Sequence, residues 1–356
     1  MRASALFAVS AAVLGLGLAA CGDGSKGKQT GTPEQRLAAA LDSCAEGASG
    51  FAQNVCGNQQ LATLDTQIRD TLVAEAANVS EAGAQMLVQN QQRWREAQRI
   101  ACGLVDAAAA PNPEQLQCLE AQFRDRAQQA AGAVQEVGGY TFQRMELIDA
   151  TPVTAEIASS SGLGDDAPAA VTRDIRFPRI DGPQTPEIQR FNELVAQQPQ
   201  FRLEDATNEV VDYNIAYAGP DIISVRFDLN QDTLGAAHPN NTSKAVTVLM
   251  RTGEPLRETD VFRANSGWQD FITQRSVAAI TEQFAEDGFA PPERDVRETA
   301  TKPHLWLITE QGLVLLFPPY SFGGPHVLGG AEVHIPWADL RPYLNPNAPA
   351  PIRVAA

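Results

Sequence analysis

The side chains with the widest chemical reach are histidines and carboxylates in Gly- and Pro-rich surroundings. His238 stands in Leu234-Gly-Ala-Ala-His-Pro-Asn-Asn241, His326 in Phe322-Gly-Gly-Pro-His-Val-Leu-Gly-Gly330, and His334 follows soon after. Three imidazoles could converge on zinc, but no carboxylate or cysteine stands at ligand spacing, so no metal is expected. Loops of this composition can present side chains to a partner. They can equally use a histidine to tie down a turn. His238, Asn240, Tyr320 and His326 are therefore the candidate partner-binding residues. The paired carboxylates Asp165-Asp166 lie in the loop Ser159-Ser-Ser-Gly-Leu-Gly-Asp-Asp166, with no apolar shelter of the kind a general acid needs. No G-x-S-x-G and no P-loop motif is present. No catalytic residue and no cofactor is assigned, and the chain reads as a binder, not an enzyme.

The other chemistry is that of cysteine. A single cation, Arg2, precedes the apolar run Ala5 to Leu18, which ends in Leu18-Ala19-Ala20-Cys21. That order is an export signal, and the run is too short for a permanent transmembrane helix. The last four residues resemble the bacterial lipobox, in which the cysteine thiol is acylated and becomes the new N-terminus. Residues 1–20 are then the signal peptide, Cys21 the lipid-attachment site, and the small polar stretch 21–31 a flexible tether. The resemblance implies a lipid-anchored protein of the bacterial cell envelope that faces the periplasm. Asp23 is displaced by one from the position that signals inner-membrane retention, which favours the outer membrane. Cys44, Cys56, Cys102 and Cys118 remain, an even number in an oxidising compartment, so two disulfides are expected. Three pairings are possible. If the helices on either side of residue 79 form an antiparallel hairpin, Cys56 and Cys102 meet at its open end. The preferred pairing is accordingly Cys56–Cys102 with Cys44–Cys118.

The net charge of -16, from 27 Lys+Arg against 43 Asp+Glu, argues against nucleic acid as a partner, which requires a basic face. An acidic surface keeps a protein soluble and steers cationic partners toward it.

The elements that must position these residues fall into two parts. Thr32-Pro33-Glu34-Gln35 and Asn112-Pro113-Glu114-Gln115 are helix starts with N-cap, proline and a reciprocal capping residue. Leu61, Leu64, Ile68 and Leu72 form one helical stripe. Leu87, Trp94, Ala97, Ala101 and Leu104 form another, and Leu116, Leu119, Phe123 and Ala127 a third. After residue 139 the period changes from helical to alternating. Strands are expected from Tyr140, over Val171 to Ile180, Val210 to Tyr217, Ile222 to Leu229, Ala245 to Met250, His304 to Thr309, Leu313 to Phe317, and Val333 to Ile335. Helices are expected from Thr185 to about Gln198, from Trp268 to Phe284, and from Pro336 to Asn345. The fold class is α+β. A disulfide-stapled all-α domain over 32–135 precedes an α+β domain over 140–345, with a mainly antiparallel sheet and packed helices, and a tail over 346–356.

Two resemblances follow. Cys56 with Leu61-Ala-Thr-Leu-Asp65, then Gln91-x-x-Trp94-Arg95-x-x-x-Arg99-x-x-Cys102, then Cys118-Leu119 and Arg126, resemble the domain named after the mycobacterial lysozyme-inhibitor lipoprotein. Read from the residues alone, Trp94 is core, and Arg95 and Arg99 can pair with carboxylates such as Asp65. Gly235-Ala-Ala-His238-Pro-Asn240, Thr252-Gly253-Glu-Pro-Leu with Val261-Phe262, Gly312-Leu-Val-Leu-Leu-Phe317-x-x-Tyr320, Gly329-Gly330 and Ile335-Pro336-Trp337-x-x-Leu340 resemble a DUF3298-like domain. That domain occurs in lysozyme-sensing anti-sigma factors and beside peptidoglycan deacetylases. Both resemblances imply lysozyme, or another cationic muramidase, as a protein partner, with the chain acting as inhibitor or decoy. The sequence shows neither the transmembrane and cytoplasmic segments of the sensors nor the metal-binding domain of the deacetylases. A peptidoglycan- or glycan-binding envelope module without lysozyme activity is the alternative.

Overall fold

The computed structural model describes residues 32–197 and 206–355. The expected signal peptide, the expected tether and Cys21 lie outside them. Five helices open the described chain: α1 (Pro33–Leu41), α2 (Phe51–Gly57), α3 (Gln59–Glu75), α4 (Glu81–Ala101) and α5 (Pro113–Gln129). Both expected capping boxes form. The Thr32 hydroxyl accepts from the Gln35 amide and the Gln35 side chain accepts from the Thr32 amide, and Asn112 and Gln115 do the same. The apolar stripes meet in one core: Leu61, Ile68, Leu72, Leu87, Trp94, Leu119 and Phe123 are buried together. Trp94 meets Phe123 edge-on at 4.9 Å between ring centres, a favoured aromatic geometry. Asp65, buried beneath them, accepts from Arg95 at 2.7 Å.

The chain then enters a seven-stranded sheet in sequential order: β1 (Val134–Val137), β2 (Tyr140–Pro152), β3 (Ala170–Ile180), β4 (Thr207–Ala218), β5 (Ile222–Thr233), β6 (Asn240–Leu249) and β7 (Glu254–Pro255). All neighbours are antiparallel except β3 and β4. The short helix α6 (Ala155–Ser160) lies between β2 and β3, and α7 (Pro186–Gln197) between β3 and β4. A parallel step needs such a crossover. The β1–β2 turn is Gly138-Gly139, with φ 59° and 83°, the left-handed pair that a two-residue hairpin prefers. A Cβ on Gly138 would lie 2.1 Å from the Ala218 carbonyl oxygen. Alternation along β4 to β6 sends Val211, Val225, Phe227 and Val248 to one face, where α7 covers them with Phe191, Leu194 and Val195.

The other face of β4 to β6 meets a second, three-stranded sheet of β8 (Trp306–Ile308), β9 (Gly312–Phe317) and β10 (Ala331–Pro336), in the order β10-β9-β8. Leu307, Val314 and Leu316 pack there on Ala245 and Ala216. The helices α8 (Glu258–Val261), α9 (Trp268–Gln283), α10 (Glu293–Ala300), α11 (Trp337–Leu340) and α12 (Ile352–Ala355) complete this part. They close the last core around Trp306, Leu313, Leu315, Phe317 and Trp337. Residues 346–355 do not hang free of it, since Ala348 and Ile352 are buried in this core.

The helices and the large sheet share polar contacts. Beyond β1, the open edge of β2 is met by α4. Asn90 donates to the Arg144 carbonyl at 2.9 Å and accepts from the Glu146 amide, and Arg93 donates to the Glu146 carbonyl. An unpaired edge carries unsatisfied backbone groups, and these side chains stand in for a missing strand. Glu146 is itself buried and receives both arms of Arg126 at 2.8 Å and Arg144 at 2.7 Å. Burial pushes the Glu146 carboxyl up, but the two guanidiniums override it and hold its pKa at about 2.

The disulfides correct the expected pairing of Cys56–Cys102 and Cys44–Cys118. The bridges are Cys44–Cys56 and Cys102–Cys118, with Cα atoms 5.4 and 5.7 Å apart. The expectation assumed one continuous helix from Cys56 to residue 79. Asn58, at φ -107° and ψ 118°, ends α2 and caps α3 instead, so Cys56 does not extend the α3 arm. Each bridge staples consecutive elements.

Candidate functional site

A cleft of about 670 Å³ lies where the two sheets diverge. Its floor is the polar face of β5. Arg226, Asp228 and Asn230 alternate with Phe227 and Leu229, whose side chains go to the core beneath α7. Arg226 Nε lies 2.9 Å from both oxygens of Asp228, and Nη1 lies 2.5 Å from Glu332 of β10. Burial works against the Arg226 charge, but the hydrogen bonds to Glu332 and Asp228 outweigh it and raise the guanidinium pKa. Ser243 donates to Asp228 at 2.6 Å, and Asn230 donates to Asn241 across the β5–β6 pair at 2.5 Å.

The rim holds the residues singled out from sequence. The His238 and His326 rings stack, with centres 3.8 Å apart and planes 19° from parallel. Tyr320 lies 5.6 Å from His326. Two loops far apart in sequence thus form one aromatic patch. Tyr320 is 55 % exposed and Val327 beside His326 is 87 % exposed. Tyr320 adopts φ 67°, a left-handed conformation uncommon outside glycine and Asn. Phe322 anchors the loop from below, fully buried and stacked on Phe284. On the other side, Gly235 at φ 80° lets its loop pass within 2.1 Å of the Ser161 carbonyl oxygen, measured from the site a Cβ would occupy.

Three of the four candidates are therefore brought together, and the fourth, Asn240, is the exposed first residue of β6, opposite Gln231. His334 stands on β10 with Nε2 3.9 Å from Glu332. Near-parallel rings cannot aim in-plane lone pairs at one ion. Among the described residues no group of three or more His, Cys, Asp or Glu is arranged to hold a metal. Asp165 and Asp166 are exposed in a short turn. The floor residues Arg226, Asp228, Asn241 and Glu332 were not reached from sequence. One signal was present: the polar alternation Arg226-x-Asp228-x-Asn230 on a strand whose intervening residues are apolar.

Residues 259–338 match the family model described as a protein of unknown function, DUF3298, and the chain carries a DUF3298 domain there. The match takes in Tyr320, His326 and Glu332. Arg226, Asp228, His238 and Asn240 precede it. Two solved structures are similar to this chain. One is a member of the DUF3298 family from Bacteroides fragilis, at 14% identity and TM-score 0.40, covering 62% of this chain and 98% of that one. The other is a DUF3298 family protein from Pseudomonas aeruginosa, at 13% identity and TM-score 0.42, covering 58% and 95%. No curated protein matches this chain. Among the described residues no helix is long and apolar enough to cross a membrane.

Proposed function

We propose that this chain is a non-enzymatic envelope lipoprotein, held by lipid on Cys21 and facing the periplasm from the outer membrane. It binds a cationic muramidase such as lysozyme as inhibitor or decoy. One observation carries the reading: the rim gathers His238, Tyr320 and His326 into one aromatic patch, with His238 and Tyr320 exposed. Aromatic side chains at a protruding rim give large contact area at low ordering cost. The charge of -16 supplies attraction for a strongly basic partner. A muramidase cleft presents two carboxylates, and a loop that carries hydrogen-bond donors into it blocks substrate without chemistry of its own.

The test is lysozyme affinity measured by calorimetry on the mature chain. Tyr320→Ala is expected to weaken binding by about 2 kcal/mol, the scale of an interface hot spot, and His238→Ala by less. Unchanged affinity in both variants would rule out this placement.

A further inference from the structure

We infer that the cleft below the rim binds a short neutral oligosaccharide, a role that goes beyond the docking of a protein on the rim. The volume is of the size that takes a small ligand: about 670 Å³. Its lining sets one cation, Arg226, against the carboxylates Asp212, Asp228 and Glu332. Arg226 is bound by Asp228 and Glu332, and Asp212 has Arg176 at 4.0 Å. Such a surface repels anions and has its one cation already engaged. It suits a ligand whose groups donate and accept together, as hydroxyls do.

The hydrogen-bonding groups left open are of both kinds and lie side by side. The Asn230–Asn241 bond uses one amide nitrogen and one amide oxygen, which leaves an acceptor on Asn230 and a donor on Asn241. Arg226 uses Nε and Nη1, which leaves Nη2. His326, which lines the same cleft, has a buried Nε2 without a partner, and a buried polar atom left unpaired is costly. Pro318 and Pro319 line the same cleft and offer an apolar wall to the C–H face of a sugar ring. Ion pairs already fix the floor side chains, so little ordering cost remains at binding.

The experiment is saturation-transfer NMR on the mature chain with chitotriose, cellotriose and maltotriose, and with hexalysine as the cationic comparison. At least one trisaccharide is expected to bind. The double variant Asn230→Ala/Asn241→Ala, at an exposed cross-strand pair, is expected to weaken it about tenfold, the loss of one to two hydrogen bonds. Arg190→Ala, on α7 across the sheet, serves as the control and keeps full binding. The inference is overturned if no trisaccharide binds, if only hexalysine binds, or if the double variant binds as the wild type does. Lysozyme affinity of the same samples reports on the rim separately. Sugar binding without lysozyme binding removes only the docking reading, and the reverse removes only this one.

Discussion

Glu146→Gln is expected to lower the unfolding free energy by about 3–5 kcal/mol, the cost of breaking a buried ion pair on one side. Arg126 is 2 % exposed, lies over Trp94 at 5.4 Å, and bonds otherwise to Gln91 at 2.9 Å. Without the carboxylate it is a charge out of water with only neutral partners. The substitution keeps the shape of the side chain, so packing loss does not confuse the result. Acid gives the matching test. The folded Glu146 pKa of about 2 lies below the ordinary glutamate value of 4.5. A depressed carboxyl contributes stability that is fully present above the unfolded pKa and lost as pH falls through the folded one. Wild type should therefore lose about 3 kcal/mol between roughly pH 5 and pH 2 from this group. Urea denaturation across that range checks it: the gap between wild type and Glu146→Gln should narrow as pH falls. A constant gap would show that the carboxylate charge is not the cause.

The second large effect concerns Cys102–Cys118. The bridge spans 16 residues, and a loop of that size constrains the unfolded chain by about 3 kcal/mol. It joins the C-terminal cap of α4 to the second turn of α5, across a segment with no other helix or strand. The double variant Cys102→Ser/Cys118→Ser should unfold at a correspondingly lower urea concentration. Peptide mapping of the unreduced protein should recover Cys44 with Cys56 and Cys102 with Cys118. Recovery of Cys56 with Cys102 would refute the pairing described above.

Much of the scaffold was legible because its signals are local. Capping boxes at Thr32 and Asn112, helical stripes that bury Ile68 and Phe123, and the alternation of β5 all lie within a few residues of chain. Even the Arg95–Asp65 pair could be named, because it needs only two adjacent helices. What escaped depends on distant or weak signals. Helix α10, Glu293-Arg-Asp-Val-Arg-Glu-Thr-Ala300, buries only Val296, Thr299 and Ala300 and otherwise reads as a solvated loop. The four residues of β1 form a strand because Gly138-Gly139 folds them onto β2. The parallel β3–β4 step leaves no local mark. The disulfide pairing turned on a single backbone break at Asn58. The same distinction runs through the candidate site. Its rim residues sit in loops whose glycines and prolines announce them. The floor pair Arg226–Glu332 joins residues 106 apart and emerges only when the second sheet lies beside β5.

Titration of the mature chain with hen lysozyme at low and high salt is the most direct test of the central claim, that an acidic scaffold captures a cationic muramidase through its aromatic rim. Saturable binding is expected at about 50 mM salt, and it should weaken several-fold at about 500 mM, where surface charges more than a few ångströms apart are screened. No binding at low salt, or binding indifferent to salt and to Tyr320→Ala, would contradict it.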